Sequence, residues 1–173
     1  MLLTRYDPPD QITDGPYRPS DSLSLRFDQR CKSRFAAVTT TQQSKVTVVL
    51  PRGLVLRNGG RLSNKDGDCL EVLAAHETLY RVTAKNPHDL LRATYHLGNR
   101  HVRLEVKPNF LQLEPDPVLL EMLHQLGGVE VKTVEAIFEP ETGAYGGGHH
   151  HGHDETYSED YAAAQAVFHY HHG

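Results

Sequence analysis

The chain first alternates apolar and polar residues with a period of two, which is typical of half-buried β-strands. Two such runs lie between residues 23 and 50, and their apolar positions are Leu23, Leu25, Phe27, Val46, Val48 and Leu50. Turn sequences with glycine or asparagine follow at residues 51–53, 58–60 and 66–67, where tight turns need a positive φ. The pattern from residue 23 to about residue 75 therefore predicts a small all-β unit.

Two segments farther along the chain show the periodicity and the start signals of α-helices. Asn86-Pro87 and Asp116-Pro117 each combine a helix N-cap with a proline suited to the first helical turn. Gly98 is expected to end the first helix in the left-handed conformation, and Gly127-Gly128 to end the second. Apolar stripes are predicted on the first helix at Leu90, Thr94 and Leu97, with Leu91 and Tyr95 beside them, and on the second at Leu119, Met122, Leu123 and Leu126.

Strand patterns flank these two helices. They cover residues 79–84, 102–106, 110–114 and 129–134, and Pro108-Asn109 joins the middle two as a hairpin. The resulting order is βαββαβ, the ferredoxin-like arrangement in which two helices cover one face of a four-stranded antiparallel sheet. The predicted fold class is α+β, with a small N-terminal all-β domain followed by the ferredoxin-like domain.

The composition changes after Glu139-Pro140, where glycine, histidine and acidic residues dominate. Such a segment buries too little apolar surface to offset the entropy of ordering the chain. The C-terminal segment is therefore predicted to be a disordered, histidine-rich tail.

The charge balance and the two cysteines narrow the range of partners and compartments. With 18 Lys and Arg against 22 Asp and Glu, the chain has no basic field for a phosphate backbone, so no nucleic acid is expected as a partner. No apolar run approaches the length of a bilayer span, and residues 1–10 carry no export signal, so no membrane association is expected. Cys31 and Cys69 are expected to be buried as small apolar residues. Together these features favour a cytoplasmic protein.

The tail carries the most informative chemistry in the sequence. Seven of the 12 histidines lie in the last 25 residues, at His149, His150, His151, His153, His169, His171 and His172. Neutral imidazole is a common ligand of nickel, copper and zinc, and several imidazoles on one flexible segment can chelate an ion without a folded pocket. Gly152 interrupts the cluster and a varied stretch follows it, unlike the unbroken run of a purification tag. The tail is therefore predicted to bind metal.

His101 is a candidate for a fixed metal ligand in the folded part of the chain. It is in phase with Arg103 and Glu105 at the start of the strand predicted at 102–106, so its side chain is expected to point away from the core. This spacing alone leaves open both a solvated surface histidine and a metal ligand. The histidine-rich tail favours the ligand, because a chelating arm gains from a fixed site to which it can deliver the ion.

No constellation of catalytic residues is present in the sequence. His76-Glu77 lacks the second histidine of an HExxH zinc hydrolase, and neither a GxSxG elbow nor a GxxxxGK[ST] phosphate loop occurs. The chain is therefore not expected to be an enzyme. Two functions remain: directed delivery of a metal ion, or general buffering and storage of several divalent ions by the tail.

Four motifs in matching order resemble the UreE family of urease accessory metallochaperones. They are Leu50-Pro51-Arg52-Gly53, Tyr95-His96-Leu97-Gly98-Asn99-Arg100-His101, Phe138-Glu139-Pro140-Glu141-Thr142-Gly143-Ala144-Tyr145 and the histidine-rich tail. The resemblance implies that His101 binds Ni(II) together with its symmetry mate at a homodimer interface, because a two-fold axis makes two ligands from one residue. His149, His150, His151 and His153 are then candidates to complete the coordination, with Zn(II) or Cu(II) as other ions for the same sites.

The resemblance also implies partners and one departure from the family pattern. The implied partners are the urease apoprotein and accessory assembly proteins, including a GTPase that would supply the GTP hydrolysis. Some family members carry a second histidine cluster after the hairpin, whereas this chain has Leu113-Glu114-Pro115-Asp116-Pro117 there. Glu114 or Asp116 could offer oxygen ligands in its place, but Asp116 already serves as a predicted helix cap.

The predicted organisation has three parts. Residues 1–83 form the N-terminal β domain, in which the residues before about 20 look like an extension and which is a candidate for binding a protein or peptide. Residues 84–143 form the ferredoxin-like domain for metal binding and dimerisation. Residues 144–173 form the flexible metal-binding tail.

Overall fold

The computed structural model describes residues 1–12 and 18–141, which form two β-rich units. The helices are α1 (Phe27–Arg30), α2 (Pro87–Gly98) and α3 (Pro117–Leu126), with a single 3-10 turn at Pro9–Gln11. The strands are β1 (Leu2–Leu3), β2 (Arg5–Asp7), β3 (Asp21–Leu25), β4 (Arg34–Val38), β5 (Lys45–Val49), β6 (Arg61–Ser63), β7 (Cys69–Ala74), β8 (His76–Ala84), β9 (Glu105–Lys107), β10 (Phe110–Leu113) and β11 (Val129–Ile137). The mixture of sheets and helices confirms the α+β class.

The N-terminal unit consists of two sheets around one hydrophobic core. One sheet has the strand order β1-β5-β4 and the other has the order β2-β6-β7-β3. Apolar residues of both sheets share the core, among them Leu3, Leu23, Val48, Leu62 and Val72, all at 0% exposure. The alternating pattern of the sequence therefore confirms an N-terminal all-β unit, because every second residue of these strands points into this core.

The first residues of the chain take part in both sheets. β1 pairs in parallel with β5, and β2 pairs antiparallel with β6. The side chain of Leu3 is completely buried in the core. Residues 1–7 are thus part of the folded unit and not an extension of it. Strands of two and three residues are too short to show a periodicity in the sequence.

The C-terminal unit has the predicted βαββαβ order. Its sheet has the strand order β11-β8-β10-β9 with all neighbours antiparallel, and α2 and α3 pack with Val82 and Leu111 of the sheet in one core. The two helix starts are confirmed, since the Asn86 side chain accepts a hydrogen bond from the backbone N–H of His88 and the Asp116 side chain caps α3 in the same way.

The strand after α2 differs from the prediction. β9 covers three residues, Glu105–Lys107, and Val102 and Leu104 precede it in irregular backbone. Val106 faces the same side as its buried partner Leu111, but it is 40% exposed because β9 is the edge strand. Glu105 is buried on the other face, where its carboxylate accepts hydrogen bonds from Gln112 and from the backbone of Glu139. These bonds compensate for the desolvation of the charge.

Two further expectations about residues near the junction of the units are wrong. Phe27 does not continue a strand but begins the one-turn helix α1, although its side chain is buried as the pattern requires. Cys31, directly after α1, is exposed, whereas Cys69 is buried. The helices found in residues 1–12 and 18–141 are all too short or too polar to span a bilayer.

Candidate metal centre

His101 lies in the turn that follows α2, and it does not belong to a strand. Gly98 is the last residue of the helix, and Asn99 continues the right-handed conformation with φ at −62°. The left-handed residue is His101 itself, with φ at +54°, so the prediction that Gly98 ends the helix in this conformation is wrong. His101 is exposed as expected, but its exposure comes from the turn and not from a strand face.

The backbone of His101 is held in a conformation that costs free energy. A left-handed conformation is unfavourable by about 1–2 kcal/mol for a residue with a β-carbon. The N–H of His101 donates to the carbonyl oxygen of Gly98 (2.9 Å), and the N–H of Arg100 donates to that of Leu97 (3.1 Å). Such a strained residue persists where neighbouring contacts fix it, and functional sites are where such residues cluster.

The segment after His101 is anchored to the core and to the end of the described chain. Leu104 is buried in the core of the C-terminal unit, and Val102 packs against the same core. The backbone carbonyl of Leu104 accepts a hydrogen bond from the N–H of Glu141 (2.9 Å). Glu141, the last described residue, therefore lies beside the segment that carries His101.

The outer face of α2, the helix that ends shortly before His101, carries two exposed apolar side chains. Leu91 is 67% exposed and Tyr95 is 65% exposed, and the two residues are one helical turn apart. A β-carbon at Gly98, one further turn along this face, would have no neighbour within 4 Å. Leu91 and Tyr95 were expected beside the buried stripe, but the buried residues of α2 are Ala93 and Leu97.

The described residues by themselves do not assemble a complete metal site. Among them no group of three or more His, Cys, Asp or Glu side chains is placed to hold an ion. His149, His150, His151 and His153 lie outside the described residues, as does the tail at 144–173. Within the part of the chain that the structure describes, His101 is therefore not a member of a group of side chains that could hold an ion on its own.

Asp116 and Glu114, the two acidic residues that could replace the missing histidine cluster, both have partners in the described part of the chain. Asp116 Oδ1 accepts hydrogen bonds from the backbone N–H groups of Val118 (2.7 Å) and Leu119 (3.0 Å), which confirms its capping role. Glu114 pairs with Arg103 at 3.2 Å. Burial raises the pKa of the Glu114 carboxyl, and the positive charge of Arg103 acts in the opposite direction. Both acids therefore have structural partners.

Arg103 connects the segment after His101 to the N-terminal unit. Its guanidinium donates to Asp28 of α1 (2.8 Å) and also pairs with Glu114, which follows β10. The guanidinium carbon lies 5.4 Å from the centre of the Phe27 ring. One side chain, two residues from His101, therefore contacts both units.

A buried ion-pair network lies at the junction of the two units. Arg30 of α1 is fully buried and pairs with Glu139 just after β11 (2.5 Å), and it also donates to the backbone carbonyl of Phe138. Glu139 in turn accepts hydrogen bonds from the Arg57 side chain (2.9 Å) and from the backbone of Asn58 (3.2 Å). This network fixes the chain just before the tail begins.

Only one of the two residues of the buried Arg30–Glu139 pair lies in a motif that the sequence shows. Glu139 belongs to the Phe138-Glu139-Pro140-Glu141 motif, but nothing in the local pattern assigns it a role. Arg30 carries no signal at all, because a lone arginine is most often at the surface. Phe27 and Phe138 meet edge to face with ring centres 5.3 Å apart, so the apolar part of the junction was detectable only as two aromatic residues far apart in the sequence.

Comparison with known proteins covers nearly the whole chain. The family model for the N-terminal domain of the UreE urease accessory protein matches residues 8–75, and the family model for its C-terminal domain matches residues 77–172. The urease accessory protein UreE of Burkholderia vietnamiensis is 54% identical over 152 residues, which cover 88% of this chain and 75% of that protein. The proteins of the same name from Burkholderia lata and Burkholderia pseudomallei strain 1710b are 53% and 54% identical over equal lengths, covering 88% of this chain and 72% and 74% of theirs. The chain therefore belongs to the UreE family of urease accessory proteins, and it is an accessory protein and not an enzyme.

Proposed function

We propose that this protein is a nickel metallochaperone that delivers Ni(II) to urease during assembly of the urease active site. It acts in the cytoplasm as a homodimer, and it works with the urease apoprotein and accessory assembly proteins that include a GTPase. The proposal is supported by an exposed His101 that lies three residues from Leu104, whose carbonyl is hydrogen-bonded to Glu141, the last described residue before the tail. Nickel is the cargo of this protein, and Zn(II) or Cu(II) can compete for the same ligands.

The outer face of α2 supports a dimer that brings two copies of His101 together. Leu91 and Tyr95 form an apolar stripe that is exposed to water in the single chain. The stripe leads to Gly98, whose carbonyl accepts a hydrogen bond from the N–H of His101. In an isologous contact the same stripe of a second copy packs against this one. The two His101 side chains then approach each other across the two-fold axis and offer two imidazoles to one ion.

The tail is long enough to complete the coordination from either copy. Leu104 lies three residues after His101, so their Cα atoms are at most about 11 Å apart. Glu141 is hydrogen-bonded to Leu104. His149 follows Glu141 by eight residues, so the Cα atoms of these two residues can be at most about 29 Å apart. His149, His150, His151 and His153 can therefore meet an ion held by the His101 pair.

Delivery follows from ligand exchange, and no bond within a substrate is made or broken. The two His101 imidazoles hold the ion at the dimer interface, and they leave coordination positions of a tetragonal or octahedral nickel ion open. Tail imidazoles raise the local ligand concentration, and each of them can be replaced singly by a ligand of the receiving protein. In this scheme the N-terminal unit offers a surface for partners, the C-terminal unit, to which β8 belongs, holds the ion and the dimer, and residues 144–173 collect nickel.

The rival function is a general metal buffer in which the tail sequesters several divalent ions without directed transfer. The seven histidines in the last 25 residues favour it. A chain that ends at Gly148 separates the two functions, because it retains His101 and lacks the histidine cluster. We expect calorimetric titration of this shortened chain to give one tightly bound nickel ion per dimer, since two chains share one site.

The control for this titration is the full-length chain, which should bind the same tight ion and additional weaker ones. Loss of all tight binding on truncation would instead support the buffer and contradict delivery through His101.

A further inference from the structure

We propose that Arg103 is a positioning residue for His101. Through its contact with Asp28, it makes nickel affinity depend on the packing of the N-terminal unit against the C-terminal unit. This inference rests on the proposed function, because it concerns the same nickel site. The segment involved is residues 99–104, called here the His101 segment. Arg103 reaches from this segment to residues on both units of the molecule.

The contacts of Arg103 bridge the junction from one side to the other. Its Nη1 donates to Asp28 Oδ1 (2.8 Å) in the N-terminal unit, and its Nε lies 3.2 Å from Glu114 Oε2 in the C-terminal unit. The guanidinium also lies over the ring of Phe27, which is 5% exposed. The side chain of Arg103 is one-third exposed, at 34%, so solvent only partly weakens these contacts.

The conformation of His101 explains why such an anchor matters. The left-handed backbone at His101 persists only while the residues on both sides are held. α2 holds the preceding side, and the following side is held by buried Leu104 and by Arg103. Release of Arg103 allows the backbone after His101 to relax, and the imidazole then leaves the direction it needs to face its symmetry mate.

Charge alone predicts the opposite effect. A guanidinium close to a divalent ion repels it, so removal of a nearby arginine should strengthen nickel binding if only Coulomb forces act. Removal of a positioning contact should weaken it. The sign of the change therefore distinguishes the two explanations.

Arg100 provides a matched control within the same segment. It is adjacent to His101 and exposed, and its side chain donates to the carbonyl of His96. This contact therefore stays within the C-terminal unit, at the end of α2. Arg100→Gln and Arg103→Gln each remove one positive charge within two residues of His101. Of the two arginines, Arg103 is the one whose described contacts reach the N-terminal unit.

The experiment measures nickel affinity by calorimetry for full-length wild type, Arg103→Gln, Asp28→Asn and Arg100→Gln. A partly exposed ion pair shifts an equilibrium by no more than about fivefold, so we expect weakening of about threefold to fivefold for Arg103→Gln and about twofold to threefold for Asp28→Asn. Arg100→Gln should bind as tightly as wild type or more tightly. Arg103→Lys should recover part of the affinity, because an ammonium can pair with one carboxylate but cannot bridge two.

A second measurement is independent of nickel. Exchange of the His101 amide, followed by NMR in the metal-free protein, should be about twofold to fivefold faster in Arg103→Gln and Asp28→Asn than in wild type and Arg100→Gln. Unchanged exchange and unchanged nickel affinity in both variants would overturn the proposal, and so would equal strengthening of binding by Arg103→Gln and Arg100→Gln. If His101→Ala retained the wild-type nickel affinity, the proposed function would fail, while the amide exchange would still decide the role of Arg103.

Discussion

His101→Ala is expected to weaken the tightest nickel site of the proposed dimer by at least about 100-fold while leaving the fold intact. Loss of a residue that hydrogen-bonds to a metal ligand already costs about 10–100-fold in affinity, and in the proposed dimer this substitution removes two direct ligands at once. The fold is expected to survive because the His101 side chain is exposed and packs in none of the three hydrophobic clusters of the described residues. Calorimetry with nickel and thermal unfolding of the same samples measure both effects.

The left-handed backbone at this position refines the comparison. His101→Gly removes the same ligand but also relieves the φ of +54°, so it should be more stable than His101→Ala by about 1 kcal/mol. His88→Ala is the matched control, since it removes an exposed imidazole from the first turn of α2 and should leave nickel affinity unchanged. Tight nickel binding that persists in both His101 variants would show that the ion is held elsewhere.

Glu139→Gln is expected to lower the free energy of unfolding by about 3 kcal/mol. The substitution removes the carboxylate that pairs with the fully buried Arg30 and also with Arg57, so two positive charges at the junction lose their partner. Breaking a buried pair by removing one partner typically costs about 3–5 kcal/mol, and the lower end applies because Glu139 is 19% exposed and glutamine keeps one acceptor oxygen. Unfolding in urea, followed by circular dichroism, gives the change directly.

Two further variants separate this network from a general effect of charge. Glu141→Gln removes an exposed carboxylate two residues away and should change the stability by no more than about 0.5 kcal/mol. Addition of Arg30→Met to Glu139→Gln should restore part of the stability, because no buried charge is then left without a partner. An unfolding midpoint of Glu139→Gln equal to that of wild type would mean that the junction does not depend on this pair.

The local signals of the sequence predicted the C-terminal unit well. The Asn86-Pro87 and Asp116-Pro117 pairs begin helices because side-chain caps and proline act within one turn, without help from distant residues. The exposure of His101 was also expected, but for the wrong reason. The sequence could not reveal that Gly98 stays helical, since the handedness of the turn is decided at His101 by the anchors on both sides of it.

The features that depend on distant partners were not predictable. Arg30 and Glu139 are 109 residues apart, and neither residue type suggests burial unless the pair is known. Glu105 is buried because its carboxylate accepts hydrogen bonds from Gln112 and from the backbone of Glu139 and pairs with Lys107. Leu91 and Tyr95 fit an apolar stripe in the sequence, and only the packing of α2 leaves them at the surface.

In the proposed dimer one nickel ion is shared by the His101 side chains of two chains. Native mass spectrometry of the untagged full-length chain, purified without chelating resin and mixed with half an equivalent of nickel per chain, shows whether this sharing occurs. The nickel-bound species should be a dimer that carries one ion, and the same experiment with His101→Ala should leave that dimer without tightly bound nickel. A nickel-bound monomer, or a dimer that fills two equivalent sites independently, would contradict the claim.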